Sequence, residues 1–378
     1  MISQMRMQEN YINALDIRWS YNHAKKMEKI CSNPKLGYRT SGSGAELKTG
    51  DMLAETMRKL GFPKVYKDAI KVDAWEFNKA ELTFEDRHGK IRKVQLGAYQ
   101  THFVTSPSEV YVPIMKAVNG IAVRGAHPVA VLLTLLLPAD TEESFLRELM
   151  KKANEAAGIL HIQIAGGHTE VSENCSVPYV TATAIGSVEG EALFENHIRP
   201  GQDIVLTGQV GCEGAGLLAT RYEERLAERY PLHMIEKAQA FLQELSILPE
   251  AATAIKSNAG AMHDVSGGGI FASLWELAES AGVGLAVDLK AIPIRQECVE
   301  VCEFFGISPY EMLSGGSLLI TTDNGEHLVR DLKEAGILAA VIGKITDNNN
   351  RVVINQEEKR FLDRPVSDEF SKIKGENL

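Results

Sequence analysis

Residues 162–171, Ile-Gln-Ile-Ala-Gly-Gly-His-Thr-Glu-Val, decide how the chain is read. Ile162, Ile164 and Ala165 have the character of the end of a short buried strand. Gly166 and Gly167 lack a Cβ, so the backbone there is free to turn with positive φ or to let a ligand approach closely. His168, Thr169 and Glu170 follow at once. They place an imidazole, a hydroxyl and a carboxylate at a strand tip, where open α/β sheets bind ligands. A plain strand-to-loop turn with solvated polar residues gives the same ten-residue pattern.

Outward from this stretch the chain alternates helix and strand. Upstream, Val112–Arg124 reads as a helix and Gly125-Ala-His-Pro128 as a turn. Val129–Leu137 reads as a central strand; it is too short to span a bilayer and stops at Pro138. Asp140 or Thr141 is the expected cap of a helix whose Phe145, Leu146, Leu149, Met150 and Ala153 face inward and which Gly158 ends. Downstream, Tyr179–Val188 reads as a strand. This rhythm means helices covering a sheet.

Arg199-Pro-Gly-Gln-Asp203 has turn chemistry and reads as a domain boundary. After the strand Ile204–Thr207, Gly208–Gly214 opens a helix and offers its amides to an anion, or is a plain turn. Helices follow near 214–228 and 232–244. Ala261-Met-His-Asp-Val-Ser-Gly-Gly-Gly-Ile270 leads into a helix that buries Phe271, Leu274, Trp275 and Ala278 and closes at Gly282. Val283–Val287 is the next strand, Cys298–Phe305 a short helix, and Leu313-Ser-Gly-Gly-Ser-Leu-Leu-Ile320 a turn feeding a strand. Glu326–Ala335, Ala340–Ile345 and Val352–Ile354 complete a second α/β unit, with Asn348–Asn350 as a hairpin tip.

The chain of 378 residues is long enough for two or three domains with a sizeable core. A net charge of −10 argues against a sequence-independent grip on nucleic acid or an anionic membrane. A nucleotide ligand stays open, because Mg²⁺ and backbone amides supply positive charge locally. The first residues hold no apolar core of signal-peptide length. Cys31, Cys175, Cys212, Cys298 and Cys302 are scattered without a CxxC pair and read as reduced thiols of a cytoplasmic protein.

The first third is different. Residues 11–31 read as a helix, broken by Pro34, Gly37 and Ser41-Gly-Ser-Gly44. A second helix runs from about Ala45 to Leu60, with Leu47, Leu53, Met57 and Leu60 on one face. Residues 64–105 alternate like strands, with Asp86–Lys90 as a hairpin turn between Ala80–Phe84 and Lys93–Leu96. Gly37–Gly44, Lys59–Phe62 and Ala69–Trp75 are similar to the segment preceding the metal site in two-zinc aminopeptidases, over about residues 10–103. That segment carries no zinc ligand, and a His-x-Asp does not follow: His127 is succeeded by Pro-Val-Ala.

Three glycine-flanked polar clusters remain: Gly166–Glu170, His263–Gly269 and Ser314–Ser317. Glycines free N–H groups to face phosphate oxygens, and adjacent carboxylates can hold Mg²⁺. From about 104 to 365 the chain resembles the AIR synthase-like (PurM-like) superfamily, in its AIR synthase-related, HypE-like branch. The residues that carry the resemblance are Val118–Pro128, Ala165–Val171, Arg199–Asp203, Met262–Ile270 and Ser314–Leu319.

The resemblance implies an α/β (α+β) two-domain architecture. Residues 104–196 would be an ATP-binding, dimerising sheet domain, 197–365 a C-terminal α/β domain, 1–103 a prefix and 366–378 a tail. It implies ATP and Mg²⁺ as cofactors, a homodimer, and ATP-dependent phosphoryl transfer to a small, carbamoyl-type or protein substrate. The residues so implicated are Asn119, Gly166, Gly167, Thr169, Gly267, Gly268 and Gly269 for the nucleotide, Glu170 and Asp264 for the metal, and His168 and His263 for proton transfer or phosphate contact. The chain departs from the family at Gly120, where an acidic residue usually follows the asparagine. The upstream aspartates that usually bind Mg²⁺ have no counterpart, and Lys-Gly-Glu-Asn-Leu378 lacks the terminal cysteine on which HypE acts. A non-catalytic dimeric scaffold that has lost its metal carboxylates is therefore the rival expectation, and a zinc aminopeptidase-related protein a third.

Overall fold

The computed structural model describes residues 17–30, 44–62, 64–66, 82–85, 91–188, 194, 196–365 and 367–373. The chain divides into two compact units, Met1–Ala80 and Glu81–Leu378.

The first unit contributes two helices, α1 (Ile17–Glu28) and α2 (Gly44–Lys59). The apolar stripe expected on α2 is not a buried face: Leu47, Leu53, Met57 and Leu60 are all exposed, whereas Ala45, Thr49 and Ala54 are buried. Small residues pack here, and the large ones at helical spacing do not.

The second unit holds two sheets. The first has strands β1 (Leu82–Glu85), β2 (Ile91–Phe103), β3 (His127–Pro138), β4 (Gln163–Ser172) and β5 (Tyr179–Ser187), in the order β1-β2-β5-β3-β4. β1 and β2 form the expected antiparallel hairpin, with Leu82 opposite Val94 and Glu85 opposite Ile91; its turn, 86–90, lies outside the described residues. β2 then pairs with β5 over most of its length. A boundary at residue 103 therefore falls within the chain of this sheet and not ahead of it.

Two helices serve this sheet, α3 (Tyr111–Ala122) and α4 (Glu143–Ile159). α3 is buried along nearly its whole length, as its sequence Tyr-Val-Pro-Ile-Met-Lys-Ala-Val-Asn-Gly-Ile-Ala demands. α4 buries Leu149, Ala153 and Ala156, and Phe145, Leu146 and Met150 pack partly buried against the same core. Its N-cap is Glu142, without a side-chain bond, so neither Asp140 nor Thr141 caps it. It runs through Gly158 to Ile159. The strand–helix–strand unit closes as the parallel pair β3·β4.

The second sheet comprises β6 (Asp203–Thr207), β7 (Ala261–Val265), β8 (Gly284–Asp288), β9 (Ser317–Thr322), β10 (Ala339–Thr346), β11 (Arg351–Asn355) and β12 (Glu358–Phe361), in the order β12-β11-β8-β10-β6-β9-β7. With it come helices α5 (Cys212–Arg221), α6 (Glu223–Ala227), α7 (Leu232–Ala240), α8 (Leu248–Lys256), α9 (Gly269–Ala281), α10 (Gln296–Phe305) and α11 (Gly325–Glu334). Asn348–Asn350 is not a hairpin tip. β8 lies between β10 and β11, antiparallel to the first and parallel to the second, and β11 turns back on β12 instead. Sequence proximity suggests a hairpin, but Leu285 takes the intervening place by donating its N–H to Asn350 O at 2.8 Å.

Apolar side chains fill both faces of this sheet. Ile204, Leu206, Val265, Ile270, Leu274, Leu285 and Val287 share one cluster; Val205, Met262, Leu318, Ile320, Ala251, Ala254 and Leu328 share another. Sheet residues facing both layers explain why β6 and β9 read as continuous apolar runs. No helix among the described residues is long and apolar enough to cross a membrane.

Candidate functional site

The second and third glycine clusters meet at one end of the seven-stranded sheet, joined by the turn after β6. Gly211 donates its N–H to Ser314 Oγ at 2.8 Å, and Ser314 donates its N–H to Ser266 O at 3.4 Å. A side chain on Gly208 would meet Gly316 O at 2.5 Å; one on Gly269 would meet Tyr310 O at 2.5 Å and Met312 N at 2.8 Å. These glycines are thus required first by backbone-to-backbone approach. Gly268 and Gly269 also have φ of 75° and 66°, the left-handed region that glycine tolerates, and Gly268 is the N-cap of α9.

An anion already sits on this turn, supplied by the chain itself. Asp368 Oδ2 accepts the Gly268 N–H at 2.6 Å, Oδ1 accepts Phe370 N–H at 2.8 Å, and the Leu313 backbone adds a third bond. Burial pushes the Asp368 carboxyl above its ordinary value, against the pull of these three amides, and the nearby Glu213 carboxylate adds to the rise. A carboxylate oxygen thus sits on the N-cap amide of a thirteen-residue helix, an end of the helix that favours negative charge.

Beside it lies a buried ion pair that bridges the two halves of the unit. Lys116 Nζ on α3 donates to Glu213 Oε1 on α5 at 2.8 Å, and Glu213 Oε2 accepts Gly315 N–H at 2.9 Å. The Glu213 side chain is fully buried and that of Lys116 nearly so. A second buried pair, Arg221 to both oxygens of Glu109 at 2.9 Å, ties α5 to the Pro107–Val110 turn ahead of α3. The Phe370 ring lies 5.3 Å from the Arg221 guanidinium, so the 367–373 segment touches both pairs' surroundings. Lys116, Glu213 and Asp368 were missed from sequence. One signal existed: Lys116 is the single charged residue in a helix that is otherwise mostly apolar.

The remaining expected residues are placed as follows. Asn119 is buried and fully engaged: its Nδ2 donates to Leu245 O at 2.7 Å and its Oδ1 accepts Ile247 N–H at 3.0 Å. It fastens α3 to the 245–247 loop, a structural task. His263 on the edge strand β7 pairs its ring with Asp264 O at 2.8 Å and approaches Glu276 at 3.4 Å. Asp264 is half-buried and does not cap α9, whose N-cap makes no side-chain bond. A side chain added at Gly267 would meet nothing within 4 Å.

The opening stretch stands apart. Gly166 to Glu170 are inside β4, the edge strand of the other sheet, not at a turn beyond it. Gly167 has φ 146°, and a Cβ there would lie 1.7 Å from Leu133 O. Its glycine is explained by β3 passing beneath it, beside a register shift in the β3·β4 pairing. His168 and Glu170 point the same way on the strand, 3.7 Å apart, and both are exposed. Glu170 and Asp264 are on edge strands of different sheets, and among the described residues no group of three or more His, Cys, Asp or Glu could hold a metal ion. The described residues do not fit a Mg²⁺ site, because a hard cation requires several oxygen ligands. They do fit an anion, on the observation that a carboxylate occupies the α9 amide.

The family described as AIR synthase related protein matches twice, through its N-terminal domain over residues 110–188 and its C-terminal domain over residues 199–355. Together these segments make up well over half of the chain. A hydrogenase expression/formation protein of Methanocaldococcus jannaschii is 26% identical over 266 residues, covering 69% of this chain and 77% of that protein. The carbamoyl dehydratase HypE of Rhodobacter capsulatus is 31% identical over 222 residues, 57% of this chain and 62% of the relative, so less than two thirds of that protein is spanned. A solved hydrogenase maturation protein HypE in complex with ATP superposes with a TM-score of 0.59 at 18% identity, covering 87% of this chain and 97% of that one. The two-sheet architecture is thus the expected two-domain, PurM-like fold. The aminopeptidase resemblance of residues 10–103 gains no support from these comparisons.

Proposed function

The chain belongs to the AIR synthase related family, and from that premise we propose that it is an HypE-like protein that binds ATP or a related phosphate ligand between its two sheets. The observation that carries this reading is the Asp368 carboxylate on the Gly268 amide: the turn at the start of α9 is built to hold an anion and holds one. Gly267–Gly269 would receive a phosphate group once Asp368 leaves. Lys116, already held between the two halves, would balance its charge. The chemistry in this reading is phosphoryl transfer that activates a small, carbamoyl-type or protein substrate. The HypE–ATP complex supports the nucleotide only by analogy of fold.

In this reading the protein is a homodimer that associates through the first sheet. β4 is an edge strand with Val171 exposed, and Val129 on the adjacent β3 and Tyr179 on β5 beyond it are exposed too. Such an edge needs a cover. A second copy over this face would bring His168, Thr169 and Glu170 to the nucleotide. Asp264 and His263 would orient the phosphate or move a proton.

One observation favours a second reading, a non-catalytic scaffold with the same fold: the described residues lack the carboxylate cluster that Mg²⁺ requires. Calorimetric titration of ATP with and without Mg²⁺ decides between the two. Binding that Mg²⁺ strengthens supports the enzyme; no binding in either condition leaves the scaffold.

A further inference from the structure

A cavity of about 580 Å³ lies where the end of α3, the start of β3 and the end of α4 meet α8. It shares no lining residue with the turns around Gly208, Gly268 and Gly315. Ala122, Leu160, Leu248 and Ile255 give it apolar walls. Every titratable residue that lines it is a base: His127 at the head of β3, His161 just past α4, and Lys256 at the end of α8. All three are exposed, and among the described residues none of the three side chains has a hydrogen-bond or ion-pair partner. The one acid of α8, Glu250, is not in this wall. Its Oε2 is buried, and burial pushes the carboxyl up to about 7.

Helix dipoles account for part of this pattern. Lys256 ends α8 and His161 follows α4, and a base is favoured at a helix C-terminus. His127 begins a strand, so no dipole explains it. Nor does a dipole explain a wall without any acid in a chain whose net charge is −10. His161 also holds φ 54°, in the left-handed region, one residue beyond the C-cap Leu160. Glycine occupies that position at lower cost than histidine.

We propose that this cavity binds a small organic carboxylate, its head taken by Lys256, His127 and His161 and its apolar body by the walls. Each imidazole has an N–H to donate in either tautomer, and the ammonium has three. Unpaired bases around one space, with no acid among them, are complementary to an anion. The wall also selects the kind of anion. A phosphate dianion is gripped by guanidinium forks and free amides. No arginine lines this cavity, and the head of α8 that does line it has its amides engaged. Ile247 N–H goes to Asn119 Oδ1 at 3.0 Å, Leu248 N–H to Ser246 Oγ at 3.4 Å, and Pro249 has none. A singly charged head on an apolar body matches what remains. The volume is within the range of small-molecule cavities and holds a chain of about six carbons. This site is independent of the nucleotide reading.

The test is calorimetric titration of the full chain with sodium hexanoate, hexylammonium chloride or inorganic phosphate. Hexanoate should bind saturably and at least about tenfold more tightly than either of the others. Lys256→Met keeps an unbranched stem and removes the charge, and should weaken hexanoate about tenfold or more. Ala252→Phe puts a neutral ring into the cavity from its α8 wall and should abolish the binding. His161→Gly should weaken it severalfold while the melting temperature holds or rises, because glycine accepts the left-handed position. The proposal is overturned by the absence of saturable hexanoate binding, by equal affinity for hexylammonium or for phosphate, or by hexanoate binding that either Lys256→Met or Ala252→Phe leaves unchanged.

Discussion

Two stretches of this chain, Ile162–Val171 and Ala261–Ile270, look alike on paper: apolar residues, then glycines beside a histidine and a carboxylate. In the folded protein they differ in kind. The first is one continuous edge strand, and Gly167 is needed because the Leu133 backbone leaves no room for a Cβ. The second is a strand, a left-handed turn and a helix start, and its Gly268 amide grips a carboxylate. Glycine between polar residues therefore reports close backbone approach in both places, and an amide bonded to a carboxylate in only one of them.

The largest effect expected is on the strand. Gly167→Ala forces a methyl into the Leu133 peptide and puts an alanine at φ 146°, so it should cost roughly 3 kcal/mol or more, beyond ordinary overpacking. Thermal denaturation checks this. A melting temperature unchanged from wild type would mean that Gly167 is a ligand-approach glycine after all, and the contrast would collapse.

Next comes Glu250, at the end of the sheet where the turn stretch lies. Its folded value of about 7 stands above the ordinary 4.5, so folding favours the protonated form. That stability is fully present below about 4.5 and is lost as the pH rises through about 7, a change of at most about 3 kcal/mol. Glu250→Gln, which carries no such ionisation, should match wild type near pH 4.5 and be more stable at pH 8. Equal melting curves at pH 8 would show that the carboxyl is solvated.

A smaller effect is expected at Asp368. Asp368→Ala removes three accepted backbone bonds, at about 1–2 kcal/mol of stability, and frees the Gly268 amide. Inorganic pyrophosphate, measured by calorimetry, should then bind roughly tenfold more tightly than to wild type, since it no longer competes with a carboxylate. Equal or weaker pyrophosphate binding would remove the α9 turn from the anion site and take the proposed nucleotide reading with it.

Local pattern made much of this fold legible. The β1–β2 hairpin, α3, the β3–α4–β4 unit and the glycine closure of α9 follow from periodicity, turn residues and stop signals. What stayed hidden depends on chain segments far apart in sequence. β8 inserts between β10 and β11, so neighbours in sequence did not pair. Asp368 reaches back 100 residues to Gly268, and Lys116 reaches 97 forward to Glu213. Asn119, read as a ligand residue from its motif, satisfies two loop backbone groups instead. In α2 the helical spacing of leucines pointed to a buried face that the described unit does not have.

The smallest stability effect, and the sharpest test of the contrast, belongs to the exposed pair on β4. His168 and Glu170 are two apart on an edge strand and both largely solvated, so their mutual attraction is worth little. Glu170→Gln and His168→Ala should each change the folding free energy by no more than about 0.5 kcal/mol. If the first sheet only supports the protein, ATP binding should be equally indifferent to them. If a second copy covers that edge and carries β4 to the nucleotide, Glu170→Gln should weaken ATP binding severalfold with the melting curve unmoved. The proposed homodimer predicts the second outcome, with the effect present only at concentrations where light scattering reports a dimer. A dimer whose ATP affinity ignores both substitutions would leave the strand stretch purely structural, and the whole ligand chemistry of the chain would then rest on the turn at the head of α9.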